Sequence, residues 1–263
     1  MQFFVTDETN LEKAKDADFF IYGGLTFPAD TLNAVTTGIE QIRVDAGYGP
    51  LDKLKFDTRV RPEQVSIEQA REAKSRVVDL CLALDVKLIV YVVHHEIAAE
   101  RSVTERVTFG VNTVLRSFHS LLEEKDEIGI VVCDNLPVED QTGYFVEKFT
   151  QGLKYPNKIE RLHRIQLYAT TSINMSHIAS AVDVVLGSFR YSINNPKNKE
   201  AASSMMLNVA RMMWADGDGD RIQPFEKGFI LRPMAKSLAE KYHGKYKEMY
   251  DQLIEHINDL IKE

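Results

Sequence analysis

Three acidic positions are distinguished by what precedes or surrounds them. Asp7 and Glu8 follow the apolar run Phe3-Phe4-Val5-Thr6, and Asp134 follows Ile130-Val131-Val132-Cys133. Asp183 interrupts the apolar stretch IASAVDVVLGSF (178–189), where no other charge lies between His177 and Arg190. Open α/β sheets place their chemistry at the carboxyl ends of strands, where Asp7, Glu8 and Asp134 would lie. A carboxylate inside so apolar a helix is costly to bury alone, so Asp183 needs a partner or a metal ion. Two strand-end acids and one helix acid suit a pair of Mg²⁺ or Mn²⁺ ions roughly 3.5–4 Å apart, held by carboxylate oxygens from separate elements. Glu8 would be a further ligand or a base beside the metal. Singly, each acid has a plainer reading. Asp7 and Asp134 could start turns, and Thr9-Asn10-Leu11-Glu12 has the form of a capping box, which makes Asp7 and Glu8 a helix prelude. Taken together, the three argue for a shared metal site.

Cations near such a site have a role in phosphoryl chemistry. Lys55, in Leu54-Lys55-Phe56, could neutralise developing charge or orient a water; it could equally be an exposed strand lysine. Arg190 lies seven residues after Asp183 on the same helix face, able to pair with a carboxylate or to touch phosphate. The segment 148–164 carries Lys148, Lys154, Lys158, Arg161 and Arg164 against the single acid Glu160. It reads as a solvated loop and helix end, or as a local basic groove contacting phosphate through Lys154, Lys158, Arg161 and Arg164. The chain as a whole has a net charge of −7 and an isoelectric point near 5.6. That disfavours a protein that coats nucleic acid without specificity, which depends on neutralising phosphates.

Other patterns fall short of a site. Asp216, Asp218 and Asp220 match the first positions of a calcium loop, but Arg221 and Lys227 stand where glycine and glutamate are needed. HHEIAAE (94–100) lacks the second histidine of a zinc-hydrolase motif. Cys133 has no cationic neighbour to activate it. Neither a P-loop nor a dinucleotide-binding glycine pattern occurs.

The elements that must position these residues follow from periodicity. Strands are expected at 2–6, 16–28 (ending in a Gly23-Gly24 break and Pro28) and 51–60. Further strands are expected at 86–93, 127–134 and, last, 164–169. Helices are expected from Asp30 through Ile42, at 66–85 with Ser66 and Gln69 as a capping box, and at 103–124. Others are expected at 141–153, 176–192, 199–215 and 234–262. Alternating β and α elements with apolar strands imply an α/β fold with a largely parallel central sheet and helices on both faces, in which the early strands, close in sequence, could pair antiparallel. The final helix, with Leu238, Tyr242, Met249, Leu253, Ile257 and Leu260 near one face, would dock on the domain; a homodimer through it is the alternative, weakened by Gly244.

The 263 residues are 44% hydrophobic and 27% charged, the proportions of a soluble globular protein large enough to fold without disulfides. Cys81 and Cys133 sit singly in apolar runs, which fits a reducing, cytoplasmic setting. No secretory leader or membrane span is expected.

The stretches FFVTDET (3–9), FFIYGGLTF (19–27), LKF (54–56), IVVCD (130–134) and SHIASAVDVVLGSFRY (176–191) together resemble the domain of unknown function 3800 family. The resemblance covers about residues 1–195, leaving 196–263 as a C-terminal helical extension packed on the same domain. It implies an RNase H-like mixed sheet and, for these mostly bacterial and phage proteins, a metal-dependent nuclease. By that resemblance Asp7, Glu8, Asp134 and Asp183 form the acidic cluster, with Lys55 the family's lysine. The chain departs from the family pattern in two respects: Lys53 stands where glutamate is common, and Ala179 and Ser180 where glutamine often precedes the helix acid. The expected function is a two-metal phosphodiesterase acting on DNA or RNA. A non-catalytic module of the same fold, serving defence or a mobile element, is the alternative. A phosphatase of small esters is a third reading.

Overall fold

A computed structural model describes residues 1–13, 18–171, 175–194, 199–216, 223–234 and 245–262. Its strands are β1 (Gln2–Thr9), β2 (Phe19–Pro28), β3 (Lys87–His94), β4 (Gly129–Cys133), β5 (Leu153–Tyr155), β6 (Lys158–Glu160), β7 (Ile165–Thr170) and β8 (Phe229–Arg232). Its helices are α1 (Leu32–Asp45), α2 (Ile67–Ala83), α3 (Val103–Glu124), α4 (Gln141–Gln151), α5 (His177–Asn194), α6 (Lys199–Met212) and α7 (Lys245–Lys262).

Six strands form one mixed sheet in the order β7-β4-β1-β2-β3-β8. β1, β2 and β3 make an antiparallel meander. β4 runs parallel to β1, β7 parallel to β4, and β8 parallel to β3. Strand residues alternate between two cores, as the two-residue period of a pleated strand requires. Val5, Ile21, Leu25, Val90 and Val92 pack on one face with α1, α2, α5, α6 and α7. Phe4, Phe20, Tyr22, Tyr91, Val131 and Cys133 pack on the other, chiefly against α3. The sheet is thus flanked by helices on both faces, as its apolar strands imply.

Local chemistry explains the element ends. Ser66 accepts from the Gln69 N–H at 3.1 Å while Gln69 returns a bond to the Ser66 N–H at 2.8 Å, closing the expected capping box of α2. Ser102 and Glu105 cap α3 in the same way. Tyr250, Leu253 and Ile257 of α7 are buried in the chain's own core, so this helix docks on the domain. Leu238, Tyr242 and Gly244 lie outside the described residues. No helix among the described residues is long and apolar enough to cross a membrane.

Four expectations are corrected. β1 runs on to Thr9, so Asp7 and Glu8 lie within the strand and not after it. Gly23-Gly24 does not break the second strand but sits in its middle, opposite Asp7 and Thr6. A Cβ at Gly24 would lie 2.1 Å from the Val5 carbonyl oxygen, so the close approach of β1 and β2 here requires glycine. Residues 51–60 are not a strand: Leu54 is buried, Asp57 caps a short 3-10 turn at Thr58–Val60, and side chains take up the main-chain groups of Phe56. Finally β7 is not the last strand. Part of the segment expected to be a helical extension forms β8 and completes the sheet edge beside β3.

Candidate metal centre at the carboxyl ends of β1 and β4

β1 and β4 are adjacent and parallel, with Val5 beside Val132 and Thr6 beside Cys133. The Asp134 N–H continues this ladder, donating to the Thr6 carbonyl at 3.2 Å. Asp134 therefore stands next to Asp7. Val5 and Val132 both pack on the α5 side, and strand alternation puts Asp7 and Asp134 on that same side. Glu8, opposite Tyr22 in the register, belongs to the α3 side. Each aspartate also steadies its own strand end: Asp7 Oδ1 accepts the Glu8 N–H at 2.8 Å, and Asp134 Oδ1 accepts the Asn135 N–H at 2.7 Å.

Asp183 reaches the same place from α5. Its Oδ2 accepts the Phe56 N–H at 2.6 Å, which supplies the partner its half-buried carboxylate needs. Phe56 is gripped from several directions. Lys74 Nζ donates to the Phe56 carbonyl at 2.9 Å and lies 4.5 Å from the ring centroid. The Arg190 guanidinium lies 5.6 Å from the same centroid, and Gly187 leaves room for the ring: a Cβ there would be 2.3 Å from Phe56 Cγ. Arg190 Nη1 also donates to Thr9 Oγ1 at 2.9 Å. A cleft of about 260 Å³ opens between these parts, lined by Asp7, Glu8, Lys55, Asp183 and Arg190 among others.

The electrostatics of the cleft are unbalanced. Burial, then Asp134 and more weakly Asp183, push the Asp7 carboxyl up to about 6; Lys55 only partly opposes this. Burial, then Asp7 and Asp134, push Glu8 up to about 7. Glu8 Oε2 is buried and has no hydrogen-bond partner among the described residues. Asp57, by contrast, is held down to about 2 by its bonds with Arg59 and is not a free acid of the site. The raised carboxyls of Asp7 and Glu8, with Asp134 and Asp183 near Asp7, form an oxygen donor set that suits hard divalent cations.

The sequence-derived residues divide cleanly. Asp7, Asp134, Asp183 and Lys55 are brought together, and Arg190 joins them. Glu8 also lines the cleft from the strand end, although its register position opposite Tyr22 turns it toward the α3 side. Lys154, Lys158, Arg161 and Arg164 are not part of the cleft. They lie on or beside the β5–β6 hairpin, near the amino end of β4, where Arg164 supplies the carbonyl that receives the Gly129 N–H. Lys154 pairs with Glu147, Lys158 with Glu160 and Arg164 with Asp126, each at 2.8 Å, while Arg161 bonds the Thr150 carbonyl. For Lys154 and Arg164 the partners are acids outside the segment, Glu147 and Asp126, while Lys158 is taken up by the segment's own Glu160. The acidic loop at 216 shows the same effect: Asp216 pairs with Lys227, while Asp218 and Asp220 lie outside the described residues. Cys133 is fully enclosed and burial raises its thiol to about 11, so it is core and not a nucleophile.

Lys74 was missed. It occupies the apolar stripe of α2 formed by Ala70, Ala73, Val77, Val78 and Cys81, and a lysine at a core position of a helical period was the available signal.

Comparison with protein-family models, curated proteins and solved structures finds no match. Among the described residues, the His, Cys, Asp or Glu side chains close enough together for one ion are His119, Glu123 and His163, away from this cleft. The cleft acids are not drawn into so tight a group. Ionised carboxylates repel one another when no cation lies between them, and a two-ion site distributes its ligands over a wider span than one ion's shell.

Proposed function

We propose that the chain is an RNase H-like, Mg²⁺- or Mn²⁺-dependent phosphodiesterase acting on nucleic acid, as the resemblance to the domain of unknown function 3800 family suggests. Two features support the fold assignment: an antiparallel β1-β2-β3 meander extended on the β1 side by parallel β4 and then β7, and acids at the carboxyl ends of the adjacent parallel strands β1 and β4. The observation that carries the functional reading is the placement of Asp7 and Asp134 on neighbouring parallel strands, with Asp183 over them and an excess of negative charge in the cleft.

In this reading Asp7, Asp134 and Asp183 hold the ions, with Glu8 beside them. Bound divalent ions would neutralise phosphate charge and lower the pKa of an attacking water. The chain's own groups do the rest. Phe56 occupies Asp183 Oδ2 and leaves Oδ1 as a donor. Lys74, Gly187 and Phe56 hold the 55–60 segment against α5, which keeps Lys55 at the rim of the acids. Lys55 and Arg190 offer positive charge to a phosphodiester, and the Thr9 bond fixes where Arg190 points.

The test is hydrolysis of DNA and RNA oligonucleotides in Mn²⁺. Asp134→Asn is expected to lower the rate roughly 10²–10³-fold, as loss of a key electrostatic group does. Unchanged activity in that variant would sink the reading. A non-catalytic module of the same fold is favoured by one observation: the basic segment at 148–164 is paired off far from the cleft, leaving little cationic surface for a polynucleotide. That module would bind divalent ions weakly or not at all and would cleave neither polynucleotides nor small phosphate esters.

A further inference from the structure

The opposite end of the sheet holds a second set of metal-ligand atoms that the acidic cleft does not use. His119 lies near the carboxyl end of α3 and Glu123 one turn further along the same face. His163 comes from the connection between β6 and β7. The two imidazoles meet edge to face, with ring centroids 4.8 Å apart and planes at 75°. His119 Nε2 and His163 Nδ1 are 3.3 Å apart. Two nitrogens bound to one tetrahedral zinc at its usual bond lengths are separated by about 3.3 Å. The Glu123 carboxylate lies 3.4 Å from His119 Nδ1, and one ligand atom from each of the three residues falls within 4.8 Å of the others.

We propose that His119, His163 and Glu123 bind one zinc ion that clips the β6–β7 connection to α3. Nitrogen-rich coordination distinguishes this site from the acidic cleft. Imidazole favours zinc and its transition-metal neighbours, whereas an all-oxygen set favours Mg²⁺ or Mn²⁺. His119 is almost fully buried and fixed by its helix, so one ligand is already in place. His163 and Glu123 are exposed and can adjust by side-chain rotation. As found, Glu123 faces Nδ1 of His119, the contact by which a carboxylate orients a metal-binding imidazole. Rotation of its side chain brings it to the ion as third protein ligand, with water in the fourth position. The position also explains what the ion would do. His163 is two residues before β7, the edge strand of the sheet, where the connection is also held by the Gly129 N–H bond to the Arg164 carbonyl, the Arg164 pair with Asp126 and the Gln166 bond to the His163 carbonyl. A clip to α3 closes the chain between Glu123 and His163 into a loop spanning β4, α4 and the β5–β6 hairpin.

The site is tested on the full chain carrying Asp7→Asn, Asp134→Asn and Asp183→Asn, which removes all three candidate aspartate ligands of the acidic cleft, after chelator treatment. Zinc chloride is titrated by calorimetry, and cobalt chloride is used as a spectroscopic stand-in. The expected result is one equivalent of zinc, an intense tetrahedral cobalt spectrum, and a melting temperature raised by roughly 5 °C at a hundredfold excess over the dissociation constant. His163→Ala, at an exposed position that leaves the core intact, is expected to weaken zinc at least about tenfold and to abolish the cobalt spectrum. Absence of zinc binding, or binding that His163→Ala leaves unchanged, would overturn the site and leave the two histidines as a hydrogen-bonded pair. Because the cleft acids are removed, neither result bears on the nuclease reading.

Discussion

Asp183 and Phe56 are 127 residues apart in sequence, yet the Asp183 carboxylate receives the Phe56 N–H at 2.6 Å. This bond ties the helix that carries one candidate ligand to the segment that carries Lys55. It separates what Asp183 does for folding from what it does for chemistry. Asp183→Asn keeps an oxygen for the Phe56 N–H and is expected to fold with little loss of stability while losing metal-dependent activity. Asp183→Ala orphans the half-buried N–H and is expected to cost about 1–3 kcal/mol as well. Denaturant melts of the two variants, set beside their rates, check this; equal stability of both would contradict it.

Gly187 makes a sharper test of the same joint. In an exposed helix, Gly→Ala stabilises by about 1 kcal/mol. Here the new methyl would meet Phe56 Cγ at 2.3 Å, so the ring and the segment behind it must move. Gly187→Ala is expected to leave α5 helical and to lower activity roughly 10–100-fold through misplacement of Lys55 and Asp183. Hydrogen exchange should show faster opening at residues 55–60. Wild-type activity would mean that this segment does not position the site.

The carboxyls of Asp7 and Glu8 give a pH dependence with a definite sign. Their ordinary values of 3.8 and 4.5 rise in the folded chain to about 6 and about 7. The folded state therefore binds these protons more tightly than the unfolded state does. Their stabilising contribution is fully present below about pH 4 and is lost as pH rises through 6 and 7, by an amount on the order of a few kcal/mol for the neighbouring pair. Metal-free protein is expected to gain from this pair at pH 5 relative to pH 8, and Glu8→Gln to flatten the upper part of the profile. Mn²⁺ should raise the melting temperature more at pH 8 than at pH 5, since ligand carboxylates must be deprotonated. A larger effect of Mn²⁺ at pH 5 would contradict this.

Lys74 is predicted to support the site without touching substrate. Lys74→Met keeps the packing of a long side chain in the α2 stripe but removes the bond to the Phe56 carbonyl. The expected outcome is a loss of about 1–2 kcal/mol in stability, because a charged donor is removed from that carbonyl, with a fall in kcat larger than any rise in KM. A change confined to KM would instead place Lys74 in substrate binding.

Much of this architecture was legible because it repeats at short range. α2 carries a capping box, α2 and α3 carry apolar stripes, and β3 is a continuous β-branched run; each is set by neighbours within a few residues. Asp7, Asp134 and Asp183 could be picked out because each acid contrasts with an apolar surround. What could not be read depends on partners distant in sequence. The glycines of β2 look like a break until β1 is laid beside them. Residues 51–60 alternate like a strand, but Asp183 and Lys74 take the main-chain groups of Phe56 that a ladder would use. Lys154 and Arg164 look like part of a basic patch until Glu147 and Asp126, outside the segment, are found against them. His119 and His163 have no motif spacing at all; only the packing of α3 against the start of β7 brings them together.

Anomalous diffraction from crystals grown with Mn²⁺ shows whether Asp7, Asp134 and Asp183 share divalent ions. Peaks are expected in the cleft beside these three carboxylates, two of them roughly 3.5–4 Å apart. Crystals of Asp134→Asn grown alongside should lose at least one of these peaks. An empty cleft in the wild-type crystals, or manganese found only at His119 and His163, would contradict that sharing.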